Sequence, residues 1–251
     1  MKTTEALIKE YKSLSKGMID AQKYAYYAAT HHSTAIEGST LTESQVINLL
    51  EFGKSAANKP FEENLMVFDH HQAILFVLAQ AKNKTEITPQ FLRQIAALVC
   101  KNTGGIVNTI LGNYDIAKGD FRLGSVRAGN RFFPDAKKVP KLIDNFCIIT
   151  NVEIIRAKSI EAKLRLAFSV HFQLVSIHPF GDGNGRTSRL LMNFVQAYFN
   201  LPLGIVYKSD RIKYINALEA ARNAENEDVF IDFMFRQYHK FLKDEIKNLQ
   251  K

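Results

Sequence analysis

Apolar and polar positions alternate along most of this 251-residue chain with the period of a helix. Near the start, "TEALIKEYKSLSKGMIDAQKYAYYAATHHSTAIEG" places Leu7, Tyr11, Leu14, Met18, Ala21 and Ala25 three or four apart, as one apolar helix face requires. Gly38 then predicts a stop. "STLTESQVINLLEFGK" opens on two overlapping capping boxes, Thr40 to Glu43 and Thr42 to Gln45. "FEENLMVFDHHQAILFVLAQAK" and "TPQFLRQIAALVCKN" predict further helices, the second with Pro89 at an early helical position. Between Thr103 and Pro134 the helical period fades and glycine becomes more frequent. "SVRAGNRFFP" reads there as two short extended pieces around Gly129-Asn130, a tight hairpin turn. Helical spacing returns in "PKLIDNFCIITNVEI" and in "AKSIEAKLRLAFSVHFQLVSI". The latter is apolar on nearly every side (Ile160, Leu164, Phe168, Phe172, Val175), which predicts a central buried helix. "RTSRLLMNFVQAYFN", "DRIKYINALEAARN" and "DVFIDFMFRQYHKFLKDEIKNLQ" complete the set. The expectation is an all-α fold with one small β-hairpin.

Composition narrows this picture only a little. A hydrophobic share of 46% supports one sizeable core, so residues 1–251 are expected to form a single domain. A net charge of +8 suits either anionic partners or simply a solvated basic surface, and no basic run chooses between them. Cys100 and Cys147 form no CxxC pair, which argues against a zinc ribbon or a disulfide framework and fits a reducing cytoplasm. The start "MKTTEALIKEYKSL" lacks the apolar stretch of a secretory signal. No apolar run approaches the about 18 residues of a membrane span, so no membrane partner is expected.

The chemistry concentrates in "IHPFGDGNGRTSR", residues 177–189. It has neither the spacing of a P-loop nor that of a Rossmann fingerprint, and it follows a helix rather than a strand. What remains is a glycine-rich turn opening a new helix, whose first N–H groups and dipole suit an anion. Gly183 and Gly185 allow a close backbone approach, and Asn184 can add a side-chain donor. Arg186 and Arg189 lie three apart and could clamp a polyphosphate. Asp182 is a hard oxygen ligand suited to magnesium held with phosphate oxygens. His178 could take a proton from an attacking hydroxyl. Each residue alone has an ordinary structural explanation. Together, within His178–Arg189, they point to nucleotide chemistry.

"HPFGDGNGR" resembles the signature of the Fic family, H-P-F-x-[DE]-G-N-G-R, at every specified position, and Arg189 matches its extended form. The likeness also takes in the helix before the loop, the hairpin segment and the chain after it. It implies a helical fold with a β-hairpin flap. The implied activity is transfer of a nucleoside monophosphate, usually AMP from ATP, to a Ser, Thr or Tyr hydroxyl of a protein, the enzyme itself included. By that resemblance His178 is the general base and Asp182 holds Mg2+ on the α- and β-phosphates. Gly183, Asn184 and Gly185 cradle phosphates, while Arg186 and Arg189 bind the β- and γ-phosphates. Residues 125–133 correspond to the flap that pairs with a target's backbone, with Val126, Arg127, Ala128 and Gly129 near the nucleotide. Tyr214 matches an aromatic of the adenine-side helix. Ile215 and Arg222 depart from the tyrosine and asparagine of some relatives, which leaves base preference open.

A second motif lies upstream. In "STAIEGS", Ser33 and Glu37 stand four apart, and Glu37 falls in a last helical turn, where a negative charge is unfavourable unless a cation sits nearby. "S-x-x-x-E-G" resembles the family's inhibitory motif [ST]-x-x-x-E-[GN], which implies that Glu37 pairs with Arg189 and displaces the γ-phosphate. On this reading residues 1–60 carry the inhibitory helix and residues 61–251 form the catalytic core around the motif at 178–189. His171 is expected to play a supporting role, and the adjacent pairs His31-His32 and His70-His71 offer only a weak zinc site. Alternatives are transfer of UMP or GMP, removal of AMP from a modified protein, or a non-enzymatic DNA-binding or regulatory module. Little chain remains outside the core for such a module, so nucleic acid is not the expected partner. Members of the family often self-associate, so a homo-oligomer is among the expectations.

Overall fold

The computed structural model describes residues 2–128 and 131–250. Among them, ten α-helices and two antiparallel hairpins follow in chain order. The first helical stretch is two helices, α1 (Thr4–Ser15) and α2 (Ile19–Ile36), because Gly17 takes φ 85° between them. α1 buries Leu7, Ile8 and Tyr11, the last against Phe241 near the other end of the chain. α3 (Glu43–Phe52) starts on the capping box of Thr42 and Gln45. The overlapping box at Thr40 does not form, because Thr40 donates both its N–H and its hydroxyl to Glu63. α4 (Phe61–Lys82) and α5 (Pro89–Val99) follow, α5 with Thr88 as cap and proline in its first turn.

The expectation of a single hairpin needs correction. β1 (Ile106–Thr109) pairs with β2 (Gly112–Asp115), with Ile106 opposite Asp115. Its apolar residues Ile106, Ile110 and Leu111 are exposed, so no alternation of buried and exposed apolar positions announced it. The expected hairpin is also present, as β3 (Arg127–Ala128) and β4 (Arg131–Phe132), with Arg127 opposite Phe132. The proposed turn residues Gly129 and Asn130 lie outside the described residues.

Five further helices build the rest: α6 (Val139–Arg156), α7 (Ile160–Ile177), α8 (Asn184–Tyr198), α9 (Arg211–Asn223) and α10 (Asp228–Leu249). One core runs from Leu7 to Ile246. α7 is deeply buried along Leu164, Phe168 and Leu174, but the most enclosed helix is α8, packed against α4, α5 and α7. Its polar residues hide this in the sequence. Ser188 donates to the Asn184 carbonyl at 2.7 Å, and Asn193 donates to the Gly204 carbonyl at 3.0 Å. Gln196 accepts from the Gly204 N–H at 2.7 Å. Buried polar groups with partners carry little penalty.

No helix of the described residues is long and apolar enough to cross a membrane. Burial pushes His70 and His171 well below the ordinary histidine pKa, and it takes His32, His71 and His178 down to about 4. These rings are neutral when folded and take up protons on unfolding below pH 6.5. Their contribution is complete above that value and is lost as pH falls. The urea midpoint is therefore expected to drop between pH 7 and pH 5. A midpoint that holds or rises over that interval would refute the assignment.

Candidate active site

The site is built where α7 gives way to α8. α7 ends because His178 turns left-handed, φ 53° and ψ 57°, its N–H bonding the Leu174 carbonyl at 3.0 Å. A non-glycine residue rarely adopts this conformation, so neighbours must hold it. Arg122 does so: its Nε donates to the His178 carbonyl at 2.7 Å, and its own N–H to the Pro179 carbonyl at 3.0 Å. Phe180 is buried against Phe121.

The turn then closes on itself. Asn184 accepts from the Phe180 N–H and donates to the Phe180 carbonyl, both at 2.9 Å. Its amide oxygen and one amide hydrogen are thus engaged within the loop. Gly183, at φ 75°, starts α8 without a side-chain cap. The first helical bond runs from the Thr187 N–H to the Gly183 carbonyl at 2.8 Å. The N–H groups of Asn184, Gly185 and Arg186 therefore have no intrahelical partner, an arrangement that suits an anion. Larger residues do not fit there. A Cβ on Gly183 would meet Cys100 Sγ at 2.8 Å, and one on Gly185 would strike the Glu37 carboxylate.

The imidazole of His178 stacks on Phe133, ring centroids 3.8 Å apart and planes 19° from parallel. Its Nδ1 lies 3.3 Å from the Val175 carbonyl, which can only accept, so Nδ1 carries the proton and Nε2 the lone pair. Burial lowers its pKa to about 4; Arg122 and Arg222 push the same way, while the Val175 bond and Glu37 oppose them. The ring is neutral at pH 7, as a proton acceptor must be.

The acidic and basic side chains surround the helix start. Asp182, 63% exposed, accepts from the Gly183 N–H at 2.6 Å and from Arg186 Nη2 at 3.2 Å. Among the described residues no set of three or more His, Cys, Asp or Glu converges as a metal cage. Asp182 alone supplies one exposed carboxylate, which could hold a hard divalent cation only together with oxygens of a bound phosphate. Arg186 is buried and also donates to the Val99 carbonyl at 3.3 Å, with Cys100 Sγ at 3.8 Å. Burial pushes the Cys100 thiol up to about 11, so it stays protonated and is no nucleophile.

Arg189 is 4% exposed. Its Nε donates to Ser33 Oγ at 2.9 Å, and its Nη2 to the Ser33 carbonyl at 3.0 Å and Glu37 Oε1 at 2.7 Å. Its Nη1 reaches the Tyr214 hydroxyl at 3.4 Å. The hydroxyl of Tyr214 also lies 3.0 Å from His171 Nε2, the supporting contact expected of that histidine. Tyr214 is only 3% exposed, stacked with His171, and its hydroxyl lies against Arg189. In the flap, Arg127 is exposed and Val126 half-buried, its carbonyl accepting the Phe133 N–H at 3.3 Å. Gly129 lies outside the described residues. Sequence reasoning missed Arg122 and the stacking of Phe133. A lone arginine in "GDFRLG" carries no spacing signal, and "FFP" gave no hint of which ring turns inward.

Residues 86–196 match the Fic/DOC family model. The chain carries a Fic domain. It is 30% identical over 214 residues to a protein adenylyltransferase Fic of Culex quinquefasciatus, covering 85% of this chain and 40% of that protein. It is 33% identical over 206 residues to the protein of that name in Drosophila virilis, covering 82% and 40%. The chain thus spans about two fifths of the length of these curated relatives. Among solved structures, a Fic domain containing signaling protein from Bacteroides thetaiotaomicron superposes with a TM-score of 0.82 at 21% identity, covering 98% of this chain and 96% of that one. Fic-1 from C. elegans superposes with a TM-score of 0.78 at 21% identity, covering 98% and 71%. These likenesses carry the fold of the Fic domain across the whole chain.

The Glu37–Arg189 pair should be measurable in stability. Glu37 is 35% exposed, so Glu37→Gln is expected to cost about 1–2 kcal/mol, below the range for a fully buried pair. Urea unfolding at pH 7 measures it, and an unchanged midpoint would show that the pair contributes nothing to the fold.

Proposed function

We propose that this protein transfers AMP from ATP to a hydroxyl of a protein substrate and that Glu37 holds the reaction back. The observation that carries this reading is the juxtaposition of a neutral His178, an uncapped helix start and a buried Arg189 already engaged by Glu37. The relatives named as protein adenylyltransferases support the reaction class. ATP phosphates would lie on the N–H groups of Asn184, Gly185 and Arg186, with the γ-phosphate drawn to Arg189. Magnesium held by Asp182 and phosphate oxygens would neutralise charge on the departing pyrophosphate. His178 Nε2 takes the proton of the attacking Ser, Thr or Tyr hydroxyl. The hydroxyl oxygen bonds to the α-phosphorus as the bond from that phosphorus to the bridging oxygen breaks, and pyrophosphate leaves.

The flap at 125–133 would add a strand to the target, aligning its hydroxyl with His178. Glu37 occupies the space over Gly185 and takes the Arg189 donor that the γ-phosphate needs, so ATP bound beside it would be misaligned for in-line attack. Two free, buried cysteines accord with a cytoplasmic setting.

The test is labelling with ATP carrying a marked α-phosphate and AMP-adduct mapping by mass spectrometry. Glu37→Gly is expected to raise self- or lysate-protein labelling at least tenfold, and His178→Ala in that background to abolish it, a general base being worth about 10²–10⁴. A folded Glu37→Gly protein that binds ATP and labels nothing would overturn the proposal.

A further inference from the structure

Beyond this reading, and resting on it only for its kinetic arm, we infer that Phe133 is a positioning residue that seats the His178 imidazole, so that the flap which meets the target also orients the base. Three observations carry the inference. First, the two rings are nearly parallel at 3.8 Å, closer than any other ring pair among the described residues. Nδ1 fixes one edge of the imidazole on the Val175 carbonyl, and Phe133 covers one face. The ring is thus held with Nε2 as its working edge.

Second, Phe133 is itself held at a fixed distance from His178. Arg122, almost wholly buried, donates to three carbonyls with one guanidinium: Gly124 at 2.8 Å before β3, Pro134 at 2.5 Å after β4, and His178 at 2.7 Å. Both roots of the flap and the backbone of the base are therefore tied to the same planar group, whose fork geometry leaves little play. Third, Phe133 has a cation near its ring. The Arg222 guanidinium lies 5.7 Å from its centroid, and Arg222 Nη2 also donates to the Val175 carbonyl at 3.3 Å. The carbonyl that orients Nδ1 and the ring that covers the imidazole thus share one arginine.

The charged groups acting on the imidazole are Arg122 before the flap, Arg222 from α9 and Glu37 at the end of α2. Removing the Phe133 ring admits water while leaving these charges in place, although Arg222 loses the ring it lies against. The His178 pKa is then expected to rise from about 4 toward its ordinary value, because burial is the largest cause of its depression.

The experiment compares Phe133→Leu with Phe133→Tyr, both in the Glu37→Gly background. It uses the His178 side-chain resonances through a pH titration and the initial rate of AMP transfer from ATP. Phe133→Leu should raise the titration midpoint of His178 by about one unit or more. It should also lower kcat on the order of tenfold with KM for ATP within about twofold, since the ATP seat is untouched. Phe133→Tyr, which keeps the ring, should restore both. The inference is overturned if the leucine variant titrates and turns over like its parent, or if tyrosine fails to rescue. Should no variant transfer AMP, the adenylyltransfer reading has failed, and the resonance titration still decides whether Phe133 seats the ring.

Discussion

Arg189 is a charge held out of water, and much of the site follows from what keeps it there. A guanidinium in a poorly polarisable interior needs acceptors for its donors and an opposite charge nearby. Ser33 and Glu37 supply them from α2, and Tyr214 adds its hydroxyl from α9. Two distant stretches of chain, α2 and α9, thus meet at one side chain of α8. The same contact fixes how α2 lies on the core and fills the space over Gly185. Fold and proposed restraint are here one interaction. A nucleotide that claimed Arg189 would have to replace what Glu37 contributes.

Much of this was legible in the sequence. The helices from α3 onward fall where the apolar period and the caps place them, because their packing faces obey the spacing of three and four. The functional loop was legible for a different reason. Its glycines, asparagine and arginines answer local demands of a turn and a helix start, which a short motif can state in full. Ser33 and Glu37 could be paired with Arg189 only through the family likeness, since 156 and 152 positions separate them.

What the sequence concealed was of two kinds. Polar residues inside a core read as surface, so α8 looked less central than α7, although Ser188, Asn193 and Gln196 are buried with partners. Long-range contacts of single residues have no period at all. Arg122 sits in an unremarkable loop sequence, and no spacing around Tyr214 showed that it is buried against His171 and Arg189. The hairpin β1–β2 escaped because Ile106, Ile110 and Leu111 face outward, contrary to the pattern by which strands are found, and only Tyr114 among its large side chains is buried.

The clasp at Arg122 has a consequence for how such a domain can diversify. It grips the flap only through carbonyls of the main chain, at Gly124 and Pro134, and it grips the base the same way at His178. Side-chain identity between the two roots is invisible to it. Residues 125–132 can therefore be rewritten, with Phe133 retained, while the roots stay anchored beside the histidine. On the proposed reading of the flap, recognition would then be an interchangeable cassette mounted on an unchanging chemical frame, and new substrates could be sampled without rebuilding the reaction centre.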